Sequence, residues 1–328
     1  MKKFYSVLEP YYTAFLEYLE AEQPKGQPES LYAPSNYILG LGGKRIRPLL
    51  TLLAADVCNG DFREALPAAM AVEVFHNFSL VHDDIMDAAP LRRGQQTVHT
   101  KWDINAGILS GDVMLVAAYQ YFESYPPPLF KELVTTFSLT AQQVCEGQQM
   151  DVDFPQQRVV TNAQYLQMIT YKTAVLLGCA LKMGALIGGA STDLAEQWYA
   201  FGKNIGIAFQ LQDDYLDAFG DPKTFGKQVG GDIIENKKTF LYLCALKNGN
   251  SLQNAALIEW FSKNLDDNTE KIQQVKEIFK STGAEAATRA EIQRYTHKAF
   301  DLLTALPYPK DRLQPLKNLA EALIQRTT

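Results

Sequence analysis

The sequence predicts an all-α helical bundle. Apolar residues recur at helical spacing through long segments, and no alternating strand pattern reaches a convincing length. Proline and glycine clusters cut the chain into pieces of helix length. Its 328 residues are 47% hydrophobic, enough for an extensive core. The chain reads as a single domain, 1–328, with neither a low-complexity tract nor a solenoid period. A formal net charge of −6 argues against nonspecific binding to nucleic acid or to an anionic membrane surface. Cys58, Cys145, Cys179 and Cys244 show no metal or redox spacing, as expected of reduced thiols in a cytoplasmic protein. No window of about 18 uninterrupted apolar residues argues for a transmembrane helix. The N-terminus leads into an amphipathic helix carrying Glu9, Glu17 and Glu20, unlike a signal peptide.

The elements follow in order. A first helix spans roughly Lys3 to Glu22 and stops at Gln23-Pro24-Lys25-Gly26-Gln27-Pro28. Pro34 and Ser35 open a second segment that reaches Gly42-Gly43-Lys44-Arg45-Ile46-Arg47-Pro48. Pro48 suits the first turn of the next helix, Leu49 to Val57. The free N–H groups there suit an anion, a preference that Lys44 and Arg47 deepen. Leu66 to Met86 is so apolar that it reads as a helix buried on most sides; before Asp83 it contains one acid (Glu73), with His76, Asn77 and His82. Ala88 to Gly94 is a turn with paired arginines. Helices resume at Ala106 to Tyr125, break at Pro126-Pro127-Pro128, and continue from Phe130 to Asp153. Thr161 to Gly189 reads as a helix or helix pair around Tyr171-Lys172-Thr173, and Leu194 to Gly220 as another helix. Asp221 to Asn236 is a polar, Gly-rich loop, and Leu241 to Arg326 returns to helices with polar outer faces.

Two acidic clusters stand out. Asp83-Asp84-Ile85-Met86-Asp87 ends the most apolar helix, and Asp213-Asp214-Tyr215-Leu216-Asp217 repeats the pattern after another apolar run. Residues four apart on a helix share a face, so Asp83 and Asp87 lie a turn apart on one side. Burying such acids uncompensated would be very costly, so they hold cations or line a wet cavity. Paired carboxylates suit a hard divalent cation such as Mg²⁺, which is commonly held by one or two carboxylates plus phosphate oxygens. Lysines and arginines on the intervening loops bind phosphate directly. The combination predicts a substrate diphosphate bridged to both clusters by metal ions. The absence of a GxxxxGK[ST] loop argues against a nucleoside triphosphatase.

This constellation resembles the trans-isoprenyl diphosphate synthases (polyprenyl synthetases), over most of the chain. The resemblance rests on both aspartate motifs together with Gly42-Gly43-Lys44-Arg45-Ile46-Arg47-Pro48, Leu91-Arg92-Arg93-Gly94, Lys172-Thr173 and Phe209-Gln210, in the family's order and spacing. It implies an isoprenoid synthase-type bundle of roughly ten or more helices around a central active-site cavity. It implies a short-chain enzyme that condenses isopentenyl diphosphate with an allylic diphosphate (dimethylallyl, geranyl or farnesyl) to give geranylgeranyl or farnesyl diphosphate. By the same resemblance, Asp83, Asp84 and Asp87 hold Mg²⁺ against the allylic diphosphate, with three ions in all. Asp213, Asp214 and Asp217 form the second metal motif, with Asp213 the direct ligand. Arg92, Lys172 and Lys227 contact the allylic diphosphate; Lys44, Arg47, His76 and Arg93 hold that of isopentenyl diphosphate. Thr173 and Gln210 lie near the reacting carbons, and Lys237 belongs to a closing lid. Gln148 and Asp151 match a further motif without an assigned role. A homodimer is also implied by the family.

Chain length is a steric matter. Phe78 lies five positions before Asp83, about 7.5 Å along a helix, and Phe75 is three further back on nearly the same face. In the resembled family, an aromatic at that fifth position with a small residue at the fourth (Ser79) looks most like geranylgeranyl synthases. Phe78, tightened by Phe75, is the expected floor of the product pocket. Two rival readings are a terpene cyclase of the same fold and a non-catalytic partner subunit. The basic set Lys44, Arg47 and Arg93, which suits a second diphosphate, argues against the first. The intact six aspartates argue against the second.

Overall fold

A computed structural model describes residues 2–58, 60–221 and 229–324. They are almost wholly helical. The order is α1 (Lys2–Glu22), α2 (Glu29–Gly40), α3 (Ile46–Val57), a 3₁₀ turn (Phe62–Ala65) and α4 (Leu66–Met86). A short hairpin of β1 (Leu91–Arg92) and β2 (Gln95–Gln96) leads to α5 (Val98–Lys101), α6 (Ile104–Gln120) and α7 (Pro127–Asp153). Next come α8 (Asn162–Ile169), a π turn (Thr170–Ala174), α9 (Val175–Ile187) and α10 (Thr192–Phe219). The chain continues with α11 (Gly231–Ile234), α12 (Phe240–Asn248), α13 (Ser251–Trp260), α14 (Thr269–Ser281), α15 (Ala284–Ala305) and α16 (Lys310–Ile324). The all-α expectation holds. The chain divides into two compact units: one of Met1–Ser138, Cys179–Tyr199 and Pro307–Leu316, the other of Leu139–Gly178, Ala200–Leu306 and Lys317–Thr328.

In the first unit α4 packs against α1, α2, α3 and α6. Its apolar length is thereby accounted for: Met70, Val72, Val74 and Phe75 are fully buried. Glu73 and Asn77, polar and buried inside α4, are joined to each other. Glu73 accepts from Arg45 at 2.5 Å and from Asn77 Nδ2 at 3.1 Å. The last turn of α4 lies close against α6, because Gly107 and Gly111 have no side chain to hold it off. A Cβ at Gly111 would sit 2.2 Å from the His82 ring, and one at Gly107 2.7 Å from Ile85. In the second unit α12 packs on α15, and α14 against α11, α13 and α15. Thr161 starts α8 with a reciprocal capping box with Gln164, and Asn250 starts α13 likewise with Gln253.

Several helices start two or three residues earlier than expected (α3 at Ile46, α6 at Ile104, α7 at Pro127), and three further differences have a local cause. Pro34 lies inside α2 rather than at its start, buried beside Ile38 and Leu39; as the sixth residue of the helix it offers no N–H to the Ser30 carbonyl one turn back. The Ala88–Gly94 turn contains a hairpin, because Arg93 (φ 53°) and Gly94 (φ 75°) both take the left-handed conformation that a tight two-residue connection needs. Within Asp221–Asn236, Gly231–Ile234 forms a helical turn introduced by Gly230 at φ 89°. The helical run Asn162–Ile187 is long and apolar enough to cross a membrane by length and composition, but 72% of that window is buried within the protein, as in a core helix.

Candidate active site

The first unit gathers the first aspartate motif with most of the predicted basic residues. The motif occupies the last turn of α4, where the Asp87 N–H closes onto the Asp83 carbonyl at 2.9 Å. Its carboxylates have different environments. Asp84 is buried and receives a forked bond from Arg92, Nε to Oδ1 at 2.9 Å and Nη2 to Oδ1 at 2.5 Å. Burial raises the Asp84 carboxyl, with Arg92 opposing. Arg92 also lies 4.0 Å from Asp83. Burial would lower the Arg92 guanidinium, but Asp84, Asp83 and Asp87 raise it on balance. Asp83 is half-buried and Asp87 exposed.

The basic loop before α3 divides by direction. Arg45 (φ 48°) turns inward to Glu73 and to the Leu39 carbonyl. Lys44 is exposed, and Arg47 stands in the first turn of α3, which no side chain caps. Arg93 reaches across from the hairpin to donate to the Gly42 carbonyl, and its guanidinium carbon would lie 3.2 Å from a Cβ on Gly43. Gly42 and Gly43, at φ 77° and 132°, therefore make both the turn and the room. Burial lowers Arg47 to about 10, with Glu73 opposing and Arg93 adding to the shift. Burial holds His76 well below its ordinary value, reinforced by Arg47 and Arg93. A neutral imidazole among crowded guanidiniums is a site short of negative charge, which a diphosphate would supply.

Below the motif the predicted floor is an aromatic stack. The rings of Phe78 and His82 are 4.8 Å apart, those of Phe75 and Phe78 5.4 Å, and those of Phe75 and Phe137 5.2 Å. Phe75 has no exposure and Phe78 only 8%. Ser79 donates to the His76 carbonyl at 2.8 Å and adds no bulk.

The second unit holds the remaining predicted residues. Lys172 and Thr173 sit in the π turn. Such a turn widens the helix locally and often marks a functional site. Lys172 Nζ donates to Asp151 Oδ2 at 2.6 Å, so Asp151 of the Gln148-x-x-Asp151 motif holds Lys172. Thr173 Oγ1 donates to Gln210 Oε1 at 3.1 Å, and Gln210 Nε2 to Asp214 Oδ1 at 2.9 Å. Asp214 is buried and also receives the Tyr165 hydroxyl. Burial, and then Asp232, raise its carboxyl well above the usual range. Asp217 Oδ2 accepts from the Asp232 N–H at 2.9 Å, while Asp213 is half-buried on α10.

Asp214, Asp217, Asp232, Lys237 and Thr239 line a small pocket of this unit. Burial and the neighbouring Asp217 raise Asp232 to about 7. Lys237 is paired with Glu235 at 2.7 Å and lies 3.7 Å from Asp232; burial would lower it, but these acids raise it. Its segment is tied down on both sides. Lys238 donates to the Phe154 carbonyl at 3.0 Å, and the fully buried Lys271 donates to Asn236 Oδ1 at 2.7 Å and the Lys263 carbonyl at 2.8 Å. Lys227 and Lys223 lie outside the described residues.

Among the described residues no three His, Cys, Asp or Glu side chains converge into a ready cation cage. Asp83 and Asp87 on one helix end, with Asp84 already engaged by Arg92, instead suit a cation that takes few protein oxygens and completes its shell with phosphate and water. That is the coordination habit of Mg²⁺. Sequence reasoning missed Tyr165, Arg45, Glu73 and Asp232 as members of these networks. Glu73 alone had left a signal, as the one acid in an apolar run.

The polyprenyl synthetase family model matches residues 28–281. A geranylgeranyl diphosphate synthase of Methanosarcina mazei is 42% identical over 229 residues, 69% of this chain and 70% of the relative. A crystal structure of a geranylgeranyl pyrophosphate synthase is 49% identical, covers 98% of this chain and 99% of that one, and superposes with a TM-score of 0.94. A Caulobacter crescentus polyprenyl synthase complexed with calcium and isoprenyl diphosphate superposes with a TM-score of 0.86 at 26% identity, covering 100% of this chain and 98% of the other. With its all-α isoprenoid synthase fold, the chain belongs to the polyprenyl synthetase family, among the short-chain trans-prenyl transferases.

Proposed function

We propose that this enzyme joins isopentenyl diphosphate to an allylic diphosphate and releases geranylgeranyl diphosphate, with farnesyl diphosphate as a shorter product. The reading is carried by one combination within a single chain. Two Asp-Asp-x-x-Asp helix segments accompany a cationic cluster in which Arg47 and Arg93 crowd His76. The residues then have distinct tasks. Asp83, Asp84 and Asp87, and Asp213, Asp214 and Asp217, serve the allylic diphosphate through three Mg²⁺ ions, with Asp84 and Asp214 as the buried, hydrogen-bonded members of each set. Bound Mg²⁺ supplies the positive charge that helps the leaving diphosphate depart. Arg92, Lys172 and Lys227 add cationic contacts to that group. Lys44, Arg47, His76 and Arg93 hold isopentenyl diphosphate. Thr173 and Gln210 present oxygen to the allylic cation, whose attack by the isopentenyl double bond precedes transfer of a proton to the released diphosphate.

Lys237 belongs to a lid that excludes water, and the whole chain, 1–328, works as one functional domain. A homodimer is supported by α6, where Ile104, Ile108, Leu109 and Val116 are exposed. A cytoplasmic location is supported by four free cysteines.

The test incubates the protein with Mg²⁺, radiolabelled isopentenyl diphosphate and each allylic starter. Label in longer diphosphates, lost on chelation, is the expected outcome. Hydrocarbon released from a single diphosphate would mark a cyclase, and no turnover a partner subunit.

A further inference from the structure

We infer that Tyr165 is a positioning residue for the chemical step, acting through Asp214 to fix which end of the Gln210 amide faces Thr173. The inference rests on the prenyl transfer proposed above and deepens it. Asp214 accepts at both of its carboxyl oxygens, and a side-chain amide carries its donors on nitrogen and its acceptor on oxygen. Asp214 Oδ1 accepts from Gln210 Nε2 at 2.9 Å. The amide oxygen must then point the other way, where it accepts from Thr173 Oγ1 at 3.1 Å. The orientation of Gln210 is therefore set by Asp214, one helical turn further along α10.

Asp214 is itself held from the other side. Its Oδ2 accepts the hydroxyl of Tyr165, a residue of α8 with 2% exposure. The result is a chain of side chains, Tyr165 to Asp214 to Gln210 to Thr173, across α8, α10 and the π turn. Tyr165 touches neither of the two reacting groups in this scheme. Without its hydroxyl, Asp214 loses the bond that stops its carboxylate from turning, and the Gln210 amide loses its fixed partner. An inverted amide would offer N–H instead of oxygen toward Thr173. That reverses the local dipole where positive charge develops on the allylic carbon. Ionisation would slow, and the cation would be caught more often by water.

The experiment compares wild type with Tyr165→Phe in the Mg²⁺-dependent condensation, following both prenyl transfer and release of allylic alcohol. The expected result is a fall in kcat of about tenfold with KM for both diphosphates within about twofold, and more alcohol per condensation. Tyr165→Phe made on Thr173→Ala should add little to the single Thr173→Ala loss, since both act through one amide. Wild-type kcat and alcohol ratio in Tyr165→Phe would overturn the inference, as would fully additive losses in the double variant. If the variant melts below the assay temperature, the same comparison is made below its Tm. Absence of condensation by the wild-type protein would instead overturn the function proposed above, so the two failures are distinguishable.

Discussion

Gly147 and Lys172 meet backbone to backbone: a Cβ on Gly147 would lie 2.2 Å from the Lys172 amide nitrogen. Gly206 of α10 presses on the same turn, where a Cβ would lie 2.5 Å from the Ala174 Cα. Helix propensity alone favours alanine over glycine by roughly 1 kcal/mol. Overpacking costs about 1–3 kcal/mol or more, and here the obstacle is backbone, which cannot rotate aside. Gly147→Ala is therefore expected to lose about 2 kcal/mol of stability by chemical denaturation. Its kcat should fall further than its stability suggests, because Lys172 and Thr173 move with the turn.

The buried Arg45–Glu73 pair supports a second prediction. Both side chains are almost inaccessible, at 2% and 3%, and Asn77 shares the Glu73 carboxylate. Removing one partner leaves the other charge buried and unpaired, at about 3–5 kcal/mol. Glu73→Gln should show that loss in urea unfolding. The double variant Arg45→Met/Glu73→Leu should recover most of it, because apolar replacement of both partners avoids the unpaired charge.

Phe78 sets a third. Its ring is backed by Phe75, which is backed by Phe137. Phe78→Ala is expected to lengthen the product by at least one isoprene unit, read by mass spectrometry. Phe75→Ala alone should do less, since Phe78 still stands above it. An unchanged product distribution in Phe78→Ala would refute the floor.

The fourth concerns pH. Burial, then Arg47 and Arg93, hold His76 well below its ordinary value in the fold. Below about pH 6.5 the unfolded chain then binds a proton that the native chain refuses. Stability falls as pH drops through that range, by up to about 1.4 kcal/mol per pH unit from this residue. Urea midpoints at pH 5, 6, 7 and 8 should therefore slope less steeply in His76→Asn. Added diphosphate should lessen the acid sensitivity of wild type, because its charge offsets the imidazolium.

Much of this was legible in the sequence. The long helices follow from periodicity, the break before α7 from Pro126-Pro127-Pro128, and the acidic helix end from Asp83 to Asp87. The direction of individual side chains was not. Lys44, Arg45 and Arg47 read as one basic patch, yet a left-handed φ sends Arg45 into the core to meet Glu73, 28 positions away. Nothing in the sequence marks Tyr165, because its hydroxyl bonds to Asp214, 49 positions on. The π turn was hidden for another reason. It depends on what Gly147 and Gly206 allow to approach, and that is a property of neighbours rather than of the segment Thr170–Ala174.

That turn also bears on how the gene can change. A π turn spends one more residue than an α-helical path between the same ends. Deleting a single codon within Thr170–Ala174 would thus leave an unbroken helix, a lesion that secondary structure alone would report as harmless. Because the turn absorbs that residue, the helices on either side would keep their relative rotation, and only the widened backbone at Lys172 and Thr173 would be lost. Tyr165 and Val175 could then keep their present neighbours while Lys172 and Thr173 changed direction, so such a deletion should leave a folded protein that has lost the placement of these two side chains.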